Sequence, residues 1–260
     1  MTTARYLGWS GFLLEDGERR VAIDPHWSGF QATGSLPLFD LTPLTGIVLS
    51  HGHPDHVADA PTLLRLHPTC WAVGDVKVAA WLRDKVPEAR DRVFTAMPNE
   101  TLLRDGIEIT LRPGVHVGEG PLGELRKLLH YARRAPISTV RLLRATHDSP
   151  KTAGVYSIEL RLPDGFRVLH AAETVHRASP RPDPATDAGA LDLFLLGVEP
   201  GEEDACRQEM ARADSKQTLL FSPHAATREV FRDDAHVRWD LLLGGANSAQ
   251  RAIPSTDLSP

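Results

Sequence analysis

Residues 46–60 read GIVLSHGHPDHVADA, and this stretch decides the fold prediction. Its apolar start, residues 46–50, is typical of a buried strand. Three histidines and an aspartate follow at once, at the strand end where α/β sheets usually place ligand sites. Imidazole and carboxylate groups are preferred ligands of zinc and related divalent metals. His51 and His53, two residues apart, can face one metal ion, while Asp55 and His56 point elsewhere and can serve a second.

Hairpin signals and helical stretches alternate along the rest of the chain. The pairs Asp16-Gly17, Asp105-Gly106 and Asp164-Gly165 each interrupt an apolar run, which is typical of tight turns between antiparallel strands. Strand-like runs and amphipathic helical segments lie between and after them. We therefore expect a single domain over residues 1–260 with an α/β fold, in which two sheets pack together and helices cover their outer faces.

Composition restricts the class of protein. The 260 residues carry a net charge of −5 and 42% apolar residues, which supports a packed core and argues against a protein that mainly coats nucleic acid. Cys70 and Cys206 are too few for a disulfide framework. The first residues lack the pattern of a signal peptide, and no run of 18 apolar residues predicts a membrane span. A soluble, cytoplasmic protein is the expectation.

One segment, residues 118–150, differs from its surroundings because it is strongly basic. Its pattern predicts an amphipathic helix inserted between two strands. The basic residues are Arg126, Lys127, Arg133, Arg134, Arg141 and Arg144. Charge runs of this kind are commonly solvated helix surfaces. The alternative is an electropositive lid that attracts an anionic substrate to the metal ions.

Several motifs together resemble the metallo-β-lactamase superfamily. SHGHPDH, residues 50–56, resembles the family's His-x-His-x-Asp-His signature. YLGWSGFLLEDGERRVAIDP, residues 6–25, is similar to the opening hairpin of its lactonase-like and phospholipase-like branch. The resemblance covers most of the chain and implies a four-layer αββα sandwich with a metal-dependent hydrolase activity.

The resemblance also implies a set of metal ligands. His51, His53 and His116, the last from LRPGVHVG, would hold the first metal ion. Asp55, His56 and His224, the last from LLFSPHAA, would hold the second. The family's bridging carboxylate corresponds to Glu173 in VLHAAETV. Two divalent ions are expected, zinc first and manganese or iron as alternatives, with Asp55 also acting in catalysis on the metal-bound hydroxide.

Glu173 departs from the family pattern, which has an aspartate after glycine where this chain has Ala172 and Glu173. One interpretation is a conservative exchange that leaves hydrolysis intact. A second is a changed metal preference, since iron and manganese also suit carboxylate-rich histidine sites, and di-iron oxygen-activating enzymes occur on this fold. A third is the loss of one metal ion.

The leading hypothesis is therefore hydrolysis of an ester, lactone, amide or phosphodiester in a small, anionic substrate. His26, His147 and Arg144 are candidate substrate contacts, and Asp24 is expected to orient a ligand histidine through a hydrogen bond. The rivals are an oxygen-activating di-iron enzyme and a binding or regulatory protein that keeps the fold without catalysis. The sequence leaves the substrate and the oligomeric state open.

Overall fold

In the computed structural model, the strands within the described residues form two sheets of seven strands each. The structure describes residues 2–25, 43–114, 120–151, 154–171, 190–225, 228, 236–243, 249–251 and 257–258. The predicted site residues His26, His116 and Glu173 lie outside these ranges, so their roles stay predictions.

The first sheet comes mainly from the N-terminal half of the chain. Its strands are β1 (Thr2–Gly8), β2 (Gly11–Asp16), β3 (Arg19–Ile23), β4 (Gly46–Val48), β5 (Trp71–Gly74), β6 (Val93–Thr95) and, beside β1, β14 (Asp257–Leu258). Pairing is antiparallel from β14 to β3 and parallel from β3 to β6. The parallel part brings the C-terminal ends of β3 and β4 to the same edge.

The second sheet mirrors this arrangement. Its strands, in the order in which they pair, are β7 (Thr101–Arg104), β8 (Ile107–Gly114), β9 (Val155–Arg161), β10 (Arg167–His170), β11 (Leu191–Gly197), β12 (Ser215–Phe221) and β13 (Ala249–Arg251). Pairing is antiparallel from β7 to β10 and parallel from β10 to β13. The strands β10, β11 and β12 therefore also end at one edge.

Helices lie between the strands of both halves. They are α1 (Pro54–Val57), α2 (Ala60–Leu66), α3 (Val76–Lys85), a 3₁₀ turn (Pro87–Arg92), α4 (Gly120–Arg134), α5 (Pro136–Asp148), α6 (Glu203–Ala213) and α7 (Trp239–Leu243). Local chemistry explains where some of them begin. Pro54 opens α1, a position that tolerates the missing amide hydrogen. The carboxylate of Asp75 caps α3 by accepting from the amides of Lys77 and Val78, both at 2.8 Å.

Apolar side chains form three main layers of core. The central cluster lies between the sheets and includes Phe12, Ile23, Ile158, Leu195 and Phe221. A second cluster joins the outer face of the first sheet to α2 and α3, and a third joins the outer face of the second sheet to α6 and α7. The predicted four-layer αββα sandwich is thus confirmed.

The three predicted Asp-Gly hairpins are present. The turns join β2 to β3, β7 to β8 and β9 to β10 as antiparallel pairs. At the second turn both central residues have positive φ, 50° for Asp105 and 82° for Gly106, as a type I′ turn requires. The indole nitrogen of Trp71 donates to the Asp105 carboxylate at 2.7 Å, which ties this turn to the first sheet.

The basic segment forms a pair of helices, α4 and α5, between β8 and β9. We call residues 120–148 the basic hairpin. Its inner side packs on Trp9 and Ala58 through Tyr131, Leu142 and Ala145. The indole nitrogen of Trp81 donates to the carbonyl of Asp148 at 2.8 Å at its C-terminal end. Among the described residues, no helix is both long and apolar enough to span a membrane.

Candidate metal centre

The predicted site residues lie where parallel strands end. Asp24 follows β3, His51 follows β4 by three residues, and His170 is the last residue of β10. The two sheets meet here, because Nδ1 of His170 lies 4.0 Å from Oδ2 of Asp24. His224 follows β12 in the second sheet. The fold thus collects polar groups from separate parts of the chain at one edge of the sandwich.

The carboxylate of Asp24 organises the first sheet's share of the site. It is fully buried and accepts hydrogen bonds from the amide of Ser50 at 2.8 Å and from its hydroxyl at 2.5 Å. Oδ2 also lies 2.8 Å from Nδ1 of His56. The backbone of Asp24 has φ of +42°, a strained value held by a hydrogen bond from its amide to the carbonyl of Val48.

This network fixes the orientation of two predicted ligand histidines. The Ser50 hydroxyl donates its one hydrogen to Asp24, so its oxygen is left to accept from Nδ1 of His51 at 3.0 Å. Nδ1 of His56 faces both Asp24 at 2.8 Å and Ser50 at 3.2 Å. With hydrogen on both Nδ1 atoms, both Nε2 atoms carry the lone pair that a metal ion requires.

The donor set fits a divalent metal ion in its chemistry. The ring of His51 lies 4.4 Å from that of His53 and 4.0 Å from that of His56, measured between centroids. The Asp55 carboxylate, at the start of α1, lies 3.6 Å from Nε2 of His56. Three imidazoles and a carboxylate, two of the imidazoles oriented by a buried carboxylate, are the ligand types of zinc, iron and manganese sites.

The described residues do not form a complete metal site by themselves. Among them, no three His, Cys, Asp or Glu side chains converge closely enough to hold an ion. The predicted set needs His116 and Glu173, which lie outside the described ranges. The pairing of His224 with the His51–His56 cluster through shared metal ions therefore stays a prediction.

His224 has its own carboxylate partner in the second sheet. Its Nδ1 lies 3.1 Å from Oε1 of Glu199, which also accepts from the His224 amide at 3.3 Å. The guanidinium of Arg228 donates to the other oxygen of Glu199 at 2.7 Å and also to the hydroxyl of Ser222. In both pairs, Glu199 with His224 and Asp24 with His56, the carboxylate lies beside Nδ1 of the histidine.

The predicted substrate contacts are less closely connected to this centre. Arg144 and His147 are exposed on α5, and the described residues show neither of them in contact with the histidine cluster. The chain just after the same helix does reach residues 51–53, which we call the metal loop because of its predicted role. A Cβ built on Gly52, between His51 and His53, would lie 2.5 Å from the carbonyl oxygen of Pro150.

Replacing Gly52 by Ala is expected to destabilise the protein by about 1–3 kcal/mol, because the added methyl group meets backbone atoms that cannot rotate away. Urea denaturation measures the change in the free energy of unfolding. An unchanged value would mean that Pro150 does not pack against Gly52.

Three residues of this centre were not among the sequence predictions. They are Ser50, which directly precedes the histidine motif, Glu199, which we interpreted as part of a loop, and His170. The imidazole of His170 is fully buried; its Nε2 donates to the carbonyl of Ser10 at 2.9 Å, and its ring stacks on Phe221. Burial lowers the pKa of His170 to about 4, so the ring is neutral at physiological pH.

We expect His170 to make the protein less stable as the pH falls from about 6.5 to about 4. In this window the unfolded chain binds a proton at residue 170 and the native chain does not, so the free energy of unfolding falls by on the order of 3 kcal/mol. Below the folded pKa both states are protonated and the contribution stops changing.

His170→Gln tests this assignment, because the amide can still donate to Ser10 but does not titrate. Chemical denaturation of metal-free protein across the window should show a smaller loss of stability in the variant than in the wild type. Equal losses in the two proteins would show that other groups cause the pH dependence.

Comparison with known proteins gives the same picture of the fold. A family model described as a beta-lactamase superfamily domain matches residues 19–219, from β3 to within β12. A UPF0173 metal-dependent hydrolase of Agrobacterium fabrum is 32% identical over 112 residues, which are 43% of this chain and 46% of that protein. The matched region thus spans less than half the length of this curated relative.

Solved structures resemble the whole chain. Igni18, a metallo hydrolase from the hyperthermophilic archaeon Ignicoccus hospitalis, has a TM-score of 0.68 at 15% identity, covering 99% of this chain and 97% of that one. CmlA, a diiron beta-hydroxylase from Streptomyces venezuelae, has a TM-score of 0.63 at 14% identity, covering 100% of this chain and 54% of that one. At these identities the likeness is one of fold.

Proposed function

The chain belongs to the beta-lactamase superfamily, and from that premise we propose that it is a hydrolase dependent on two divalent metal ions, with zinc the preferred ion. His51, His53 and His116 would hold the first ion, Asp55, His56 and His224 the second, and Glu173 would bridge them. When bound, the pair supplies Lewis acidity and an activated water for attack on an ester, lactone, amide or phosphodiester.

The observation that carries this proposal is the buried contact of Asp24 and Ser50 with two adjacent histidines. A solvated histidine-rich loop needs no buried carboxylate behind its rings, whereas metal ligands commonly have one. Here Nδ1 of His51 lies 3.0 Å from the Ser50 hydroxyl and Nδ1 of His56 lies 2.8 Å from the Asp24 carboxylate, which favours hydrogen on both Nδ1 atoms. Both residues are fully buried and one has a strained backbone, a cost that an orienting role would offset.

The remaining side chains have separate roles in this proposal. Asp55 orients the attacking water and accepts its proton. Glu199 positions His224 as Asp24 positions His56. Arg144 and His147 stay candidate contacts for an anionic group of a small substrate, although both are exposed and Arg144 shares the outward side of α5 with Ile137 and Val140. His26 would add a further contact from its place after Asp24-Pro25.

A cytoplasmic location is part of the proposal. Cys70 and Cys206 are both free and buried, and burial raises the pKa of each thiol to about 12. Unreactive thiols in place of disulfides fit a reducing compartment.

Metal analysis and an activity panel test the function together. Protein purified from unsupplemented cells should contain about two zinc ions per chain and should hydrolyse at least one of the four substrate classes. Chelation should abolish the activity, and zinc should restore it. Arg144→Ala should raise KM for an anionic substrate more than for its neutral analogue. A protein that holds metal yet hydrolyses no member of the panel would contradict the proposal.

The second candidate is an oxygen-activating di-iron enzyme. Glu173 in place of the expected aspartate favours it, since a carboxylate-rich site suits iron. The likeness in fold to a diiron beta-hydroxylase also supports this candidate. Iron as the main metal, together with a product that forms only in the presence of oxygen, would establish this candidate and exclude the hydrolase.

A further inference from the structure

The outward side of the basic hairpin exposes large apolar side chains. Ile137, Val140 and Leu143 of α5 and Leu129 of α4 have exposed fractions between 47% and 72%. On a helix, positions 137, 140 and 144 share one side, with 141 and 143 at its margins. Contiguous exposed aliphatic groups on a folded protein mark a surface that another body covers.

Unpaired arginines lie among these aliphatic groups. Arg126, Arg133 and Arg141 are exposed, and within the described residues none of them forms an ion pair or a hydrogen bond. Elsewhere in the chain arginines commonly pair, as Arg112 and Arg167 do with Glu159. The hairpin thus presents aliphatic and uncompensated cationic groups together on one side.

The opposite side of the hairpin is fully used by the fold. Tyr131, Leu142 and Ala145 pack on Trp9 and Ala58, and Thr139 is buried. Trp81 holds the C-terminal end of α5 through the carbonyl of Asp148. The outward side therefore belongs to helices that pack firmly on the rest of the fold.

The charge of the molecule is strongly asymmetric. Residues 120–148 carry six Lys or Arg and two acidic side chains, a net charge of +4, so the rest of a chain of net −5 carries −9. An anionic surface would attract the hairpin and repel the remainder, which fixes one orientation. Two copies that met hairpin to hairpin would bring like charges together, which disfavours a second copy of this chain as the covering body.

We propose that the outward side of the basic hairpin, formed by Ile137, Val140, Leu143, Arg133 and Arg141, docks on the surface of an anionic phospholipid bilayer. The aliphatic groups enter the boundary between headgroups and acyl chains, and the guanidinium groups reach the lipid phosphates along their flexible stems. A protein partner is the weaker fit, because the exposed side lacks the Trp, Tyr and Phe that dominate protein interfaces.

Vesicle sedimentation with the full chain tests this docking. The protein should bind vesicles of phosphatidylcholine and phosphatidylglycerol, should not bind vesicles of phosphatidylcholine alone, and should bind more weakly as salt rises. Arg133→Glu with Arg141→Glu should weaken binding at least about thirtyfold. Ile137→Ser with Val140→Ser should weaken it at least about tenfold.

Matched controls come from exposed leucines elsewhere in the chain. Leu66 on α2 and Leu103 on β7 are 54% and 59% exposed, and Leu66→Ser with Leu103→Ser should leave vesicle binding unchanged. Circular dichroism and thermal unfolding of each variant identify any that fail to fold. For such a variant, single substitutions at the same positions replace the pair.

Experiments can distinguish a failure of the docking proposal from a failure of the hydrolase proposal. Metal-free protein should bind vesicles as well as metal-loaded protein, and the Ile137 and Val140 variants should keep their activity on a soluble substrate. Three results would overturn the docking: no preference for anionic vesicles, equal loss of binding in the control variant, or a wild-type oligomer that Ile137→Ser with Val140→Ser dissociates. The last would assign this side to a second copy.

Discussion

Asp55→Ala is expected to lower kcat/KM by on the order of 10³ or more while the protein remains folded. In the proposed site this carboxylate ligates the second metal ion and orients the attacking water, so its loss removes two contributions at once. Its side chain lies at the start of α1, beside Nε2 of His56, and is 13% exposed to solvent. Steady-state kinetics and metal content per chain measure the two effects.

Asp75→Ala provides the matched control for this substitution. Asp75 is also a largely buried aspartate at a helix start, but its carboxylate caps α3. Its loss should cost about 1 kcal/mol of stability and leave kcat/KM and metal content unchanged. If Asp55→Ala kept both its second metal ion and its activity, Asp55 would have neither of its proposed roles.

Asp24→Asn is expected to lower metal affinity 10- to 100-fold. Asparagine tolerates positive φ, so the strained backbone at this position is retained and the charge alone is removed. The side-chain oxygen of the asparagine can still accept from the backbone amide of Ser50. The side-chain nitrogen of the asparagine takes the place of Oδ2. It is a donor, and it faces the hydroxyl of Ser50 and Nδ1 of His56, both of which donate in the wild type.

The expected consequence is a change of tautomer at His56. With the carboxylate gone, only the Ser50 hydroxyl at 3.2 Å remains behind Nδ1, so the ring can place its hydrogen on Nε2, the atom that the metal ion requires. Titration against a competing chelator measures the affinity, and nitrogen chemical shifts of the metal-free protein report which ring nitrogen is protonated. Unchanged affinity together with an unchanged tautomer would show that Asp24 is needed for folding alone.

The sequence was sufficient for the features that depend on local chemistry. Asp-Gly pairs predict hairpins because glycine, and to a lesser degree aspartate, tolerates the positive φ of tight turns, and all three hairpins are present. The HGHPDH cluster was recognisable because its groups are adjacent in sequence. The alternation of hairpins and helices predicted two packed sheets with helices outside, the family resemblance implied the αββα arrangement, and the family model agrees with it.

Contacts between distant parts of the chain could not be predicted in this way. His170 meets Asp24 and Ser10 only because the two sheets pack face to face, and 160 residues separate His170 from Ser10. Glu199 meets His224 because β11 and β12 are parallel neighbours that end together. Neither pair has a local sequence signature, because a buried strand end explains His170 and a loop explains Glu199 equally well.

The close approach of Gly52 to Pro150 brings the metal loop into contact with the segment that follows the basic hairpin. The gap between them leaves no room for a Cβ at position 52, because that atom would lie 2.5 Å from the carbonyl oxygen of Pro150 and 3.0 Å from its side chain. A side chain at position 52 would therefore have to be accommodated by both segments. The residue between His51 and His53 is thus constrained by a part of the chain that is distant in sequence.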